Sequence, residues 1–183
     1  MAEDIDDVSL VKQFKLPESR DTAFTSIVKK YQQKLYWHVR RMVVDHDDAN
    51  DVIQNVFIKV WKGLDGFRED STLYTWLYRI ATNESLSFLE QKKRKGTVSL
   101  SDNEADLSET VRADKDFDAS KLEWKLQLAI QQLPEKQRAV FHLRYYDEMP
   151  YAEMSTVLDT SEGALKASYH IAVKKIEDFI LNH

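Results

Sequence analysis

Only four glycines and three prolines punctuate 183 residues, and that scarcity excludes most β architectures. Strands joined by tight turns need a turn signal roughly every eight to twelve residues, and those signals draw on Gly, Pro, Asn and Asp. The prolines instead fall where helices start: Pro17 ahead of the first, Pro134 and Pro150 at first-turn positions of later ones. Phe24, Ile27, Val28, Tyr31 and Leu35 keep the three-and-four spacing of an amphipathic helix, predicted from about Asp21 to Val44. Asp47 or Asp48 can cap a second helix with apolar face Val52, Val56, Val60 and Leu64, ended by Gly63 and Gly66. Ser71 or Thr72 can cap a third along Leu73, Trp76, Leu77, Ile80 and Ala81. Its last turns carry Lys92, Lys93, Arg94 and Lys95 before Gly96, where cations favour the helix dipole. The expected fold class is all-α.

Charge divides the chain further. The net charge of −5 argues at first against a polyanionic partner. By segment, however, residues 1–19 carry −3, residues 20–95 carry +4, residues 96–120 carry −5 and residues 121–183 carry −1. The acid sits in an N-terminal stretch, read here as a tail, and in GTVSLSDNEADLSETVRADKDFDAS. That composition is too poor in large apolar residues to offset its ordering entropy, so it reads as a flexible acidic linker between two small helical domains. Extended, it spans at most roughly 85 Å at about 3.4 Å per residue.

Beyond it, Leu122, Leu126, Ala129, Ile130 and Leu133 predict one helix, broken at Pro134. Val140, Phe141, Leu143 and Arg144 predict the next, to about Asp147. A short helix from Tyr151 to Leu158, a polar turn Asp159-Thr160-Ser161 and a longer helix from Glu162 to Leu181 make a helix-turn-helix candidate. A helical hairpin that merely packs would show the same pattern.

Little in the sequence favours catalysis. No cysteine is present, which excludes disulfides, thiolate nucleophiles and Cys-ligated zinc. The histidines at 38, 46, 142, 170 and 183 form no zincin motif. Asp45-His46-Asp47-Asp48 offers metal-ligand chemistry, but helix capping accounts for the same residues. No phosphate loop or nucleophile elbow occurs, so neither catalytic residue, metal nor cofactor is expected. The longest apolar run is three residues, too short for membrane insertion, and the acidic start is unlike a signal peptide. A cytoplasmic protein is the simplest expectation.

The stretch 67–95 points elsewhere. Phe67, Tyr74, Trp76 and Tyr78 interleave with Arg68, Arg79 and the terminal basic cluster, a combination that suits single-stranded nucleic acid: bases stack on rings while cations follow phosphates. The same residues would equally serve as core plus a solvated helix end. Asn83, on the same helix, carries an amide able to donate to and accept from a base edge.

DANDVIQNVFIKVWKGLDGFREDSTLYTWLYRIATNESLSFL closely resembles the second conserved region of the extracytoplasmic-function (ECF) sigma factors of bacterial RNA polymerase. LPEKQRAVFHLRYYDEMPYAEMSTVLDTSEGALKASYHIAVKKI resembles their fourth. The resemblance covers 20–95 and 121–183 in family order, with TWLYRIATN and the Asp51-Gln54-Phe57 pattern specific in combination. It implies a subunit that binds core RNA polymerase and promoter DNA, directs transcription initiation and meets an anti-sigma protein. On the second helix, Asp48, Asp51, Gln54, Asn55, Phe57 and Trp61 match the surface for a polymerase coiled coil. Lys59, Phe67, Arg68, Ser71, Thr72, Leu73, Trp76, Arg79 and Asn83 match the minus-ten surface, including a pocket for a flipped base. Arg144, Tyr151, Ser161, Lys166, His170, Lys174 and Lys175 match the minus-thirty-five reader. The linker would thread a polymerase channel. The matching reading helix departs from the family in having no arginine between Ser161 and His183, so the bidentate fork to guanine is absent. A polymerase-independent helix-turn-helix regulator is the alternative, and it predicts tight duplex binding by the free chain.

Overall fold

The computed structural model describes residues 6–96 and 121–182; the linker reading falls, apart from Gly96, outside the described residues. Those residues form eight α-helices and one 3-10 turn, with no strand among them. The first unit holds α1 (Asp7–Phe14), α2 (Arg20–Val43), α3 (His46–Gly63), a 3-10 turn (Leu64–Gly66) and α4 (Leu73–Arg94). The second holds α5 (Lys121–Gln131), α6 (Glu135–Tyr145), α7 (Tyr151–Leu158) and α8 (Glu162–Asn182).

Helix starts follow capping chemistry. Asp45, rather than Asp47 or Asp48, caps α3, its carboxylate accepting from the Asp48 amide at 2.9 Å. Asp47 and Asp48 sit within the first turn, where acidic groups suit the positive end of the dipole. Thr72 caps α4 by accepting from the Thr75 amide at 3.1 Å. The α2–α3 corner turns on Val44, whose φ of 70° and ψ of −45° are accompanied by a hydrogen bond from the Asp45 amide to the Val43 carbonyl at 2.9 Å. That is a γ-turn of the strained hand, at a β-branched residue.

The N-terminal stretch read as an acidic tail contains α1, which packs against α2. Asp6 caps it through the Ser9 amide and hydroxyl, and Leu10, Val11 and Phe14 are fully buried. Acid counts hid it because the acid is used locally: Asp7 accepts from the Tyr31 hydroxyl at 2.5 Å and pairs with Lys30 at 3.1 Å.

In the first unit α3 and α4 pack on α2 and on each other, burying Ile27, Leu35, Val52, Val56, Val60, Leu77 and Ala81. In the second, α8 carries contacts to α5, α6 and α7. A stacked pair ties it to α6, Phe141 lying 5.9 Å from Tyr169, and Tyr145 of α6 stacks on the same Phe141 at 5.1 Å. The units also touch: α4 packs on α7 and α6, and α2 on α6. One continuous apolar cluster runs from Leu77 and Tyr78 to Leu143, Met154 and Val157. Polar contacts cross the same boundary, Lys93 to Glu135 at 2.8 Å, Thr75 to Glu153 at 3.3 Å and Tyr78 to Asp147 at 3.3 Å.

Candidate nucleic-acid and protein interfaces

Because Val52, Val56 and Val60 turn one stripe of α3 into the core, the opposite stripe is left to solvent. Asp51, Gln54, Asn55 and Trp61 all project from it. Asp48 is half-buried and tied to Lys92 of α4 at 2.5 Å. Phe57 is also half-buried, edge-on to Phe24 at 6.5 Å, so it supports the helix rather than its outer face. Trp61 does both, staying 36% exposed while its ring packs edge-on against Phe24 and Phe14. Sequence reasoning missed Ile58, 47% exposed in the middle of this face. The available signal was an apolar residue off the valine stripe. The result is an acidic, amide-bearing face with an apolar centre.

A second exposed stripe follows the opening of α4. Thr72, Trp76, Arg79 and Asn83 recur at four, three and four residues and share one side of the helix. Arg79 and Asn83 are exposed, and Trp76 is half-buried. The Trp76 ring lies 5.2 Å from Phe67, and a Cβ added at Gly63 would meet it at 3.3 Å, so this glycine gives the indole its seat. Lys59 pairs with Glu84 beside Asn83. Arg68 is exposed, while Phe67 and Leu73 are buried and anchor the loop between them. Ser71 donates to the Thr72 carbonyl at 3.4 Å, and the Thr72 hydroxyl is engaged in the cap. Lys15, just past α1, holds the loop by donating to the Phe67 carbonyl at 3.3 Å. Beneath it lies a cavity of about 310 Å³ lined by Val8, Val11, Phe67, Ser71 and Leu73.

Of the aromatic stretch, Tyr78 is buried against the second unit, and burial beside Asp147 pushes its hydroxyl far above the ordinary tyrosine range. Tyr74 is raised for the same first reason. Tyr78 is internal, Tyr74 and Trp76 are half-buried, and Arg79 faces outward.

In the second unit Asp159 adopts the left-handed conformation that ends α7, with φ 49° and ψ 50°. Ser161 then caps α8 through the Ala164 amide at 3.3 Å. Lys166, His170 and Lys174 recur at four-residue spacing and are exposed on one face, with Ile171 beside them. Lys175 is turned aside, donating to Gln137 of α6 at 3.0 Å. Arg144 and Tyr151 brace the turn. The guanidinium lies 4.8 Å over the Tyr151 ring and donates to the Met149 carbonyl at 3.1 Å, while Lys166 sits 5.6 Å from the same ring.

The Asp45–Asp48 run is used structurally. Asp45 caps, and His46 meets the Tyr36 hydroxyl at 2.7 Å and the Asn50 amide at 3.1 Å. Among the described residues no three His, Asp or Glu side chains converge as a metal site. Nor is any helix there long and apolar enough to cross a membrane.

Comparison with known proteins agrees with this division. Residues 27–95 match the family model for sigma-70 region 2, and residues 123–176 match that for sigma-70 region 4. The chain is 33% identical to the RNA polymerase sigma-H factor of Pseudomonas aeruginosa over 93% of its length and 92% of that protein. It is 32% identical to the ECF RNA polymerase sigma-E factor of Escherichia coli, covering 97% and 96% of the two chains. Its fold matches the sigma factor RpoE of Bartonella quintana, solved in complex with the anti-sigma factor NepR. There the TM-score is 0.68 at 20% identity, over 86% of this chain and 96% of that one.

Proposed function

Since the chain belongs to the ECF sigma factors of bacterial RNA polymerase, which direct promoter recognition and transcription initiation, we propose that its two helical units divide that task. The exposed stripe of α3, centred on Ile58 between Gln54 and Trp61, docks on a basic surface of the core enzyme. Acid and amide groups there suit a cationic partner, and the apolar centre supplies desolvated contact. The α4 stripe takes the minus-ten element. Trp76 offers a stacking surface, Arg79 a phosphate contact and Asn83 a donor and acceptor for a base edge, which together offset the few kcal/mol lost on unstacking a base. Lys166, His170 and Lys174 of α8 face the minus-thirty-five element, contacting mainly phosphates because no arginine fork is present.

The observation that carries this reading is the α4 stripe: four residues of nucleic-acid-binding chemistry on one helix side, three of them not required by the core. The chain performs no covalent chemistry of its own, acts in the cytoplasm with the polymerase, and pairs with an anti-sigma protein as its relative does with NepR. The geometry adds a requirement. Elements 25 base pairs apart lie about 85 Å apart along B-form DNA at 3.4 Å per pair. Here α8 packs on α7 and α7 on α4, and with axes about 8–10 Å apart at each contact the two helices lie far nearer than that. The units therefore separate on the promoter.

Reconstituted initiation tests the assignment. Asn83→Ala is expected to lower open-complex yield on a cognate promoter about tenfold or more, equivalent to at least 1.4 kcal/mol, with unchanged retention by core polymerase. Equal open-complex yield would remove Asn83 from the base pocket.

A further inference from the structure

Beside the apolar cluster that crosses it, the contact between the two units carries buried polar and titratable groups. On α4 the buried residues turned toward the second unit include Thr75 and Tyr78, each carrying a hydroxyl, and buried Thr82 sits behind them against His38. From α2 comes His38, fully buried. Its Nδ1 lies 3.0 Å from Asp147, an acceptor only, so Nδ1–H donates there; Nε2 lies 2.9 Å from the Thr82 hydroxyl. Asp147 belongs to the other unit and also receives Tyr78 and, at 3.6 Å, Arg41. Arg41 in turn lies 4.5 Å over the Tyr146 ring. Inter-domain contacts that mix polar groups into the apolar seam are closer to separable interfaces than to a domain core.

One group in this cluster has no counterpart. His142 of α6 is 1% exposed, and neither ring nitrogen has a hydrogen-bond partner. The basic groups facing it are His38 and Arg41 of α2 across the boundary, and Arg138 on its own helix. Asp147 is committed to His38, and the tyrosines 78 and 146 are neutral with raised hydroxyls. The Arg41 backbone favours a charged ring but completes no hydrogen bond with it. A buried, unsatisfied imidazole costs stability and calls for a reason.

We propose that His142 makes the contact between the two units acid-labile, so that protonating its ring parts them. The sign follows from the surroundings. Burial first, then His38, Arg138 and Arg41, hold the ring well below the ordinary histidine value of 6.5 while the units are closed. Once apart, water restores that value. The open form thus binds the proton more tightly, closure is undisturbed above pH 6.5, and it is lost progressively as pH falls below. Resting on the reading given under the proposed function, parting frees both promoter-reading faces at once.

The absence of native cysteine makes the test direct. Dyes on Lys29→Cys and Glu177→Cys, both exposed, report the separation of the units by single-molecule energy transfer in the free chain. The closed-to-open ratio is expected to fall about tenfold from pH 7.5 to 5.5, the effect of one histidine titrating at 6.5 only when open. In His142→Phe, which keeps an aromatic body and removes the proton, the change should shrink below twofold, with helical circular dichroism unchanged in both. A flat ratio in the parent chain, the full tenfold change in His142→Phe, or loss of helicity at the same pH would each overturn the proposal. Should that variant not fold, the histidine ring signals of the parent chain decide: His142 must titrate together with the opening. No polymerase or DNA enters these measurements, so their failure leaves the promoter assignment standing, and failure of the Asn83→Ala test leaves the acid response standing.

Discussion

At the residue scale, the backbone of Val44 stores strain that the sequence does not announce. A valine at φ 70° sits where its branched side chain meets its own backbone, at a cost of about 1–3 kcal/mol. Val44→Gly relieves that strain and gives back part of the gain as unfolded-state entropy. The expected net effect is about 1 kcal/mol of added stability, read as a higher urea midpoint with unchanged slope. A lower midpoint would show that the side chain's packing outweighs the turn. The surroundings of individual candidate residues were legible unevenly. Asp51, Arg79 and Asn83 stand out in solvent as expected, whereas Leu73 and Phe67 are core and Asp48 is bound to Lys92. Residue type and spacing locate a helix side; they do not say whether a neighbouring helix already occupies it.

Elements were easier to read, because caps and period are local. The α7 span is the expected one, and α2, α4 and α8 lie within a residue or two of their expected bounds. Thr72 shows how one hydroxyl serves an element. Thr72→Ala should cost about 1 kcal/mol and speed hydrogen exchange at the Thr75 amide, while Thr72→Ser preserves both. If both variants keep stability yet lose promoter melting, the hydroxyl acts on DNA rather than on the helix. The α3 face carries its own prediction. Ile58→Asp, at a site already open to solvent, should weaken retention by core polymerase at least tenfold, about 1.4 kcal/mol. Its thermal midpoint should move by no more than a degree or two. Unaltered retention would place the polymerase contact elsewhere. The miss at this scale was α1, only eight residues long, whose short apolar pattern was outweighed by the surrounding acid.

For the whole molecule, the decisive property is that the units touch. Lys93 and Glu135 pair across the boundary at the surface, so Lys93→Cys with Glu135→Cys, joined by a short reductant-cleavable cross-linker, should hold the units closed. Initiation from a promoter with both elements is then expected to fall at least tenfold and to return on reduction. Full activity while cross-linked would mean that the reading faces work without separation. The net charge of −5 acquires a narrower meaning as well. It does not exclude DNA, since the first helical unit carries a positive balance and the acid lies mainly outside it.

What the sequence determined by itself was the local layer: helices from apolar period, their ends from caps and prolines, two units from the charge break, and family membership from two motif-bearing blocks. Only the tertiary structure decided that α1 joins the core, that Phe57 faces inward and Ile58 outward, and that His38 meets Asp147 across 109 residues of chain. The reason is physical. An amphipathic pattern records that a side of a helix leaves water, through the cost of exposing apolar groups. It carries no record of which distant segment takes the water's place, and a histidine reads the same whether it faces a carboxylate, as His38 does, or two arginines, as His142 does.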